Sequence, residues 1–335
     1  MHSPSTPDSQ VDSDKKSQSG HATTFKHSSS NRVAVLLCTY NGQRFLAEQL
    51  SSIERQTHGN WIVAVSDDGS TDRTLEIVDS FSARVGGEKA CVVSGPRSGF
   101  AANFLSLTCN EGIQANFYAW SDQDDIWQEN KLETALNWLQ SIPPETPALY
   151  CGRTRGMNAQ GLLMECSPLF TRPPAFANAL VQSLAGGNTM VFNNAARQLM
   201  IDAGDHLKIV SHDWWVYLLV TGAGGEVTYD PQPYVLYRQH GDNLVGSNSG
   251  FRSRLSRLRQ MFGGRFSNWN QRNIECLLSV ARLLTVENRE KLERFRLARK
   301  SHLPGRLFGL LRSGIYRQTL PGNLGLILAA IVKGI

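Results

Sequence analysis

Two kinds of hydrophobic pattern alternate along the first half of the chain. Val33-Ala34-Val35-Leu36-Leu37-Cys38 is an unbroken apolar run, which predicts a strand covered on both faces. Thr39-Tyr40-Asn41-Gly42 breaks it. Phe45, Leu46, Gln49, Leu50 and Ile53 then recur at helical spacing, with one polar member. Trp61–Ser66 predicts a second strand, ending in Asp67-Asp68-Gly69-Ser70-Thr71-Asp72. Leu75, Ile77, Val78 and Phe81 predict a second helix, with Ser70 or Thr71 as its cap.

Two strand–loop–helix units in succession predict a parallel α/β sheet. Ligands of such sheets gather at the carboxyl ends of the strands. Short strands are expected at Ala90–Ser94 and Phe117–Ser121, the latter running into Asp122-Gln123-Asp124-Asp125. A helix around Asn130–Gln140 places Leu132, Ala135, Leu136 and Leu139 on one face. Beyond Pro143-Pro144 the pattern weakens. Strands are expected at Ala148–Gly152, Thr189–Phe192 and Tyr234–Arg238, and a helix at Ser211–Val220.

After Gly250 the character changes. Phe251, Leu255, Leu258 and Phe262 share a helical face with Arg252, Arg254, Arg257 and Arg259 between them. A further helical stretch is expected from Asn273 to Lys300. Leu324–Val332 is apolar but too short to span a bilayer. Charge follows the same division. Residues 251–335 hold 17 Lys and Arg against 4 Asp and Glu, whereas residues 1–250 hold 17 against 25. An acidic body with a basic end points to an anionic surface as partner. Three regions follow: a disordered polar leader at 1–31, a catalytic domain at 32–250, and a basic helical region at 251–335. The six cysteines form no CxxC pair and signal neither zinc nor redox chemistry.

Candidate chemistry lies in acidic clusters that follow strands or open a helix: Asp67-Asp68, Asp122 to Asp125, and Asp213. Carboxylates this close repel one another, so a fold tolerates them where a cation offsets them. A D-x-D at the end of an apolar strand suits a hard divalent ion whose shell is completed by diphosphate oxygens.

Four segments together carry a resemblance. Val33–Asn41, Asp67–Asp72, Asp122–Trp127 and Tyr237-Arg238-Gln239-His240 resemble, in order and spacing, glycosyltransferase family 2 with the GT-A fold, over about Val33 to Asn248. The nearest likeness is to bacterial rhamnosyltransferase-like members. The resemblance implies an α/β, Rossmann-like nucleotide-diphospho-sugar transferase fold, here with a basic C-terminal helical extension. It also implies roles. Thr39 and Asn41 would contact the nucleotide, Asp68 the base, and Arg97, with Gly99 and Asn103, the wall of the nucleotide pocket. Asp122 would lie near the ribose, Asp124 and His240 at the metal, and Asp213 would be the catalytic base. Many relatives carry Glu-Asp where this chain has His212-Asp213. The Gln-x-x-Arg-Trp motif of processive synthases is absent, which favours addition of one or a few sugars.

The expected reaction is single displacement with inversion: Asp213 deprotonates an acceptor hydroxyl while Mg²⁺ or Mn²⁺ neutralises the leaving diphosphate. The expected donor is a dTDP- or UDP-sugar, dTDP-L-rhamnose first. The expected acceptor is a glycan or a polyprenyl-linked glycan at the cytoplasmic face of a membrane. A nucleotidyltransferase would carry a Gly-rich, Arg-containing loop in place of Cys38–Gly42. A non-catalytic sugar- or membrane-binding protein has no need of both Asp124 and Asp213. No nucleic-acid module accompanies the basic end. That end has two readings, helices packed on the catalytic domain or an interfacial membrane helix.

Overall fold

The computed structural model describes residues 31–240, 264–332 and 334–335. The expected leader up to residue 30 and the amphipathic stretch Phe251–Phe262 lie outside the described residues.

Strands β1 (Val33–Thr39), β2 (Trp61–Asp67), β3 (Ala90–Ser94) and β4 (Phe117–Ser121) form the parallel half of one sheet, in the order β3-β2-β1-β4. Alternate residues of β1 enter separate cores. Ala34 and Leu36 pack with helix α3 (Phe100–Cys109), while Val33, Val35 and Leu37 pack with α1 (Leu46–Glu54) and α2 (Thr74–Val85). Both faces are dry, which is why the run is apolar without alternation. In register Thr39 lies opposite Asp67, and Leu37 opposite Ser121. The polar loops after β1, β2 and β4 therefore emerge side by side at one edge of the core.

The first four strands are parallel, as expected from the strand–loop–helix units, and past β4 the sheet becomes mixed. β5 is Ile126–Trp127, β6 Ala148–Asn158, β7 Leu163–Cys166, β8 Val191–Asn193 and β9 Glu226–Gln239. β8 runs antiparallel to β4 and β6, β9 runs parallel to β6, β7 extends from β6, and β5 closes antiparallel on β9. Helix α4 (Lys131–Leu139) covers one face. The four-residue helix α5 (Phe176–Ala179), α6 (Asn194–Ala203) and α7 (His212–Gly222) cover the other. Trp215 is fully buried in α7, and Trp214 donates from Nε1 to Ala179 O at 2.6 Å, so both indoles are core residues.

The helical stretch expected at Asn273–Lys300 is two helices, α8 (Arg265–Ser279) and α9 (Val286–Lys300). Leu284 is extended and Thr285 caps α9 by accepting the Asn288 N–H. Two more follow, α10 (Leu303–Ser313) and α11 (Leu320–Ile331). Phe266, Ile274, Leu277, Phe295, Leu310 and Leu326 from these helices join the same core cluster as α7. None of the helices among the described residues is long and apolar enough to cross a membrane.

Candidate active site

The loop after β2 is organised by Asp67. Its carboxylate accepts the Thr39 hydroxyl at 2.9 Å and the Gly69 and Ser70 N–H groups at 3.1 and 2.8 Å. Thr39 is buried by this bond. Asn41 adopts a left-handed backbone (φ 48°), and its Oδ1 accepts the Thr71 N–H at 2.9 Å while its own N–H donates to Ser70 Oγ. Asp72, not Ser70 or Thr71, serves the start of α2, accepting Thr74 N–H at 3.0 Å and Gln43 N–H at 3.0 Å. Thr39, Asn41, Asp67 and Asp72 thus stitch the first two loops into one rim.

Asp68 points away from that stitching. Its Oδ1 accepts the Arg97 N–H at 2.6 Å. Arg97 is exposed, has φ 55°, and lays its guanidinium over Gly69, where a Cβ would stand 3.1 Å from Nε. Two non-glycine residues with positive φ, one on each side of Asp68, mark these loops as held by their surroundings. Asn103 is a structural tie: it is buried in α3 and its Nδ2 donates to Ser66 O at 3.2 Å.

The acidic loop after β4 is clamped from β9. Because β5 pairs with β9, with Ile126 opposite Leu236, the Tyr237–His240 segment runs directly beside Asp124 and Asp125. Asp125 is fully buried; it accepts the Arg238 N–H at 3.1 Å and an amide N–H from Asn188. The Arg238 side chain donates to Asp124 O at 3.0 Å and to Glu48 at 2.6 Å, over the Phe45 ring. His240 Nε2 lies 2.8 Å from Asp124 Oδ2, its ring against Phe45 at 5.0 Å. Gln49, the polar member of the α1 stripe, is buried and hydrogen-bonded to Ser121 Oγ at 2.7 Å.

Asp213 opens α7, where the helix dipole favours a carboxylate. It accepts the Ser211 hydroxyl and the Trp214 N–H. Burial raises its affinity for a proton, and these hydrogen bonds partly offset the rise. Asp122 feels both neighbours: burial first, then the charges of Asp124 and Asp213, push it up to about 7. Cys38 is raised by burial and by Asp122 and Asp68 in turn. Asp68, Asp122, Asp124, Asp213 and His240 therefore share one electrostatic neighbourhood at the carboxyl ends of β1, β2 and β4.

Sequence reasoning passed over Glu48 and Asn188, and took Arg238 only as part of a motif. Asn188 carries no signal in the chain. Glu48 sits one residue before the buried Gln49, and only the fold shows that Arg238 reaches it. Among the described residues no three His, Cys, Asp or Glu side chains come together as a self-sufficient metal cage. The site instead offers Asp124 and His240 in contact, beside an Asp122 whose charge is costly. That donor set fits a hard cation that takes its remaining ligands from a bound diphosphate.

A mixed sheet covered on both faces, with carboxylates at the strand ends, is a GT-A-type fold. Residues 34–196 match the family model Glycosyl transferase family 2. It is 27% identical over 234 residues to the dTDP-rhamnosyl transferase RfbG of Shigella flexneri, covering 66% of this chain and 78% of that protein. It is 32% identical over 111 residues to the UDP-Glc:alpha-D-GlcNAc-diphosphoundecaprenol beta-1,3-glucosyltransferase WfgD of Escherichia coli, covering 32% of this chain and 40% of that protein. The fold is similar to that of S. aureus TarS 1-349 in complex with UDP-GlcNAc, with TM-score 0.51 at 15% identity over 85% of this chain and 93% of that one.

Proposed function

We propose that this protein transfers a single sugar, with inversion, from a nucleotide-sugar donor to a hydroxyl of a growing cell-surface glycan. The observation that carries the reading is His240 Nε2 set 2.8 Å from Asp124 Oδ2 at the end of the β4 loop, with the charges of Asp124 and Asp213 both acting on Asp122. Such crowding is offset when a cation and the acceptor's proton are shared among the three. Likeness to a dTDP-rhamnosyl transferase favours dTDP-L-rhamnose as donor. UDP-hexoses are the second choice, and a relative whose acceptor is a diphosphoundecaprenol-linked sugar favours a polyprenyl-linked acceptor.

Asp68 accepts an N–H of the base while Arg97, Thr39 and Asn41 border the nucleotide. Asp124 and His240 would hold Mg²⁺ or Mn²⁺, which would supply Lewis-acid neutralisation of the leaving diphosphate. Arg238 fixes the loop by its bonds to Asp124 O and Glu48. Asp213 takes the proton of the acceptor hydroxyl as that oxygen attacks the anomeric carbon. Burial of Asp213 strengthens it as a base, and Ser211 and Trp214 fix its orientation. The acceptor's lipid places the enzyme at the cytoplasmic face of a membrane, as a peripheral protein.

Release of nucleoside diphosphate from a panel of dTDP- and UDP-sugars, with and without Mn²⁺ or Mg²⁺, tests the reading. Asp213→Asn keeps the shape and cannot take the proton. It should leave donor affinity within a few-fold and slow transfer by at least about a hundredfold. Unchanged turnover would assign the base elsewhere. Asp124→Ala should abolish transfer and its metal dependence; wild-type rates in that variant would remove Asp124 from the metal role.

A further inference from the structure

The last two helices are built unlike the rest of the surface. Along α11, Leu320, Leu324, Ile327 and Ile331 are exposed at 75, 59, 52 and 47%, while Leu326, Ala329 and Ala330 face the core. The exposed set recurs at helical spacing and forms one outward stripe. On α10, Phe308 and Leu311 are 61 and 80% exposed, and Arg306, Leu310 and Ser313 are buried. The two helices are locked together, since Arg306 donates to Ala330 O at 2.6 Å. They are locked to α9 as well, because a Cβ on Gly309 would stand 2.7 Å from Ala298 Cβ. Large apolar side chains are thus held outward on a rigid base. Of the two charged residues in these helices Arg306 is turned inward and Arg312 is exposed beside Phe308, and neither helix carries an Asp or Glu.

We propose that the outward face of α10 and α11 is the surface by which this protein lies on an anionic lipid bilayer. The proposal extends the membrane reading given above and moves its locus to the last two helices. Charge selects the occupant. A second copy seated on the same face would set Arg312 against a surface with no carboxylate to pair it. Segment 251–262 carries four Arg and no acid, so its sequence offers Arg312 no carboxylate either. Anionic headgroups complement Arg312, and acyl chains accept the Leu, Ile and Phe side chains. At 12 residues α11 lies along the interface instead of crossing it.

Full-length protein should sediment with phosphatidylglycerol-containing vesicles and far less with phosphatidylcholine alone. Leu311→Ser/Leu320→Ser/Leu324→Ser/Ile327→Ser changes only exposed positions, so it should keep its melting temperature. Its partition onto the anionic vesicles should fall at least about tenfold. Its hydrolysis of nucleotide sugar in solution should be unchanged, so failure of the membrane claim and failure of the transferase reading are separable. A companion variant, Arg252→Gln/Arg254→Gln/Arg257→Gln/Arg259→Gln, should keep most of the partition. The proposal is overturned if the serine variant binds vesicles like wild type, if wild type binds neither vesicle, or if the arginine variant alone loses binding. Conversion of a wild-type dimer to a monomer by the serine changes, without vesicle binding, would assign the face to self-association and overturn it too.

Discussion

His212 precedes the proposed base, yet its environment is unlike that of Asp213. Its ring stacks on Phe104 at 4.0 Å and meets Trp120 edge-on at 4.7 Å. Neither ring nitrogen has a hydrogen-bond partner among the described residues. Burial therefore pulls its pKa from 6.5 down to about 3. Gly187 is required opposite it, since a Cβ there would stand 2.2 Å from Nε2. A neutral imidazole filling an aromatic cage supports the start of α7 by packing. The folded pKa is depressed below the unfolded one, so unfolded chains bind the proton first as pH falls. Stability from this group is complete above about pH 6.5 and is lost as pH drops towards about 3, by at most about 1.4 kcal/mol per pH unit. Denaturant titrations of His212→Leu should show a shallower acid limb than wild type, whatever its stability at neutral pH. Parallel acid limbs would show that the imidazole is solvated.

Asp125 acts between elements. Its two oxygens join β9, through the Arg238 N–H, to the turn before β8, through Asn188, with Lys131 of α4 adding a nearby charge. Lys131 is buried over the Trp127 ring at 3.6 Å without a hydrogen-bond partner among the described residues, and burial lowers it to about 7 against the pull of Asp125. Asp125→Ala would orphan the Asn188 amide and the Arg238 N–H in a dry place, costing about 1–3 kcal/mol. It should also loosen the loop that carries Asp124, so kcat should fall although Asp125 touches no substrate. Unfolding free energy and kcat that both match wild type would refute the clamp. The strands and carboxylate loops of the first half were legible because dry strands show as unbroken apolar runs and the acids at their ends stand out. α3 was not legible: its ten residues bury Asn103 and Thr108 among apolar neighbours and carry no charge, so no polar face marks the helix. β9 was foreseen only at Tyr234–Arg238, because its first half is partly exposed and interrupted by Pro231 and Pro233. The proposed site residues could be named from their motifs. The Arg238–Glu48 and Asp125–Asn188 pairs, 190 and 63 residues apart, needed the fold.

At the scale of the molecule, charge alone marks the basic end as a tail separable at Gly250. The packing points the other way. Phe266, Ile274, Leu277, Leu292 and Phe295 are each at most 7% exposed and share one cluster with Trp214, Trp215 and Leu219 of α7. Polar ties cross the same seam: Asn288 Nδ2 donates to Thr221 O at 3.0 Å, and Asn178 Nδ2 to Tyr316 O at 3.0 Å. Each large apolar side chain contributes about 1.5–3 kcal/mol when fully buried. Five together approach or exceed the whole net stability of an ordinary domain, about 5–15 kcal/mol. The helix that carries Asp213 therefore depends on residues beyond 264 to stay dry. A chain ending at Gly250 should bind a dye that reports exposed apolar surface, lose a cooperative thermal transition, and lose nucleotide-sugar hydrolysis. The serine variant of the α10–α11 face should retain all three properties of the intact protein. A cooperative melt and wild-type hydrolysis in the shortened chain would show that the C-terminal helices are an appendage. Loss of both would show that the helix carrying Asp213, the proposed base, rests on a core that the basic end completes.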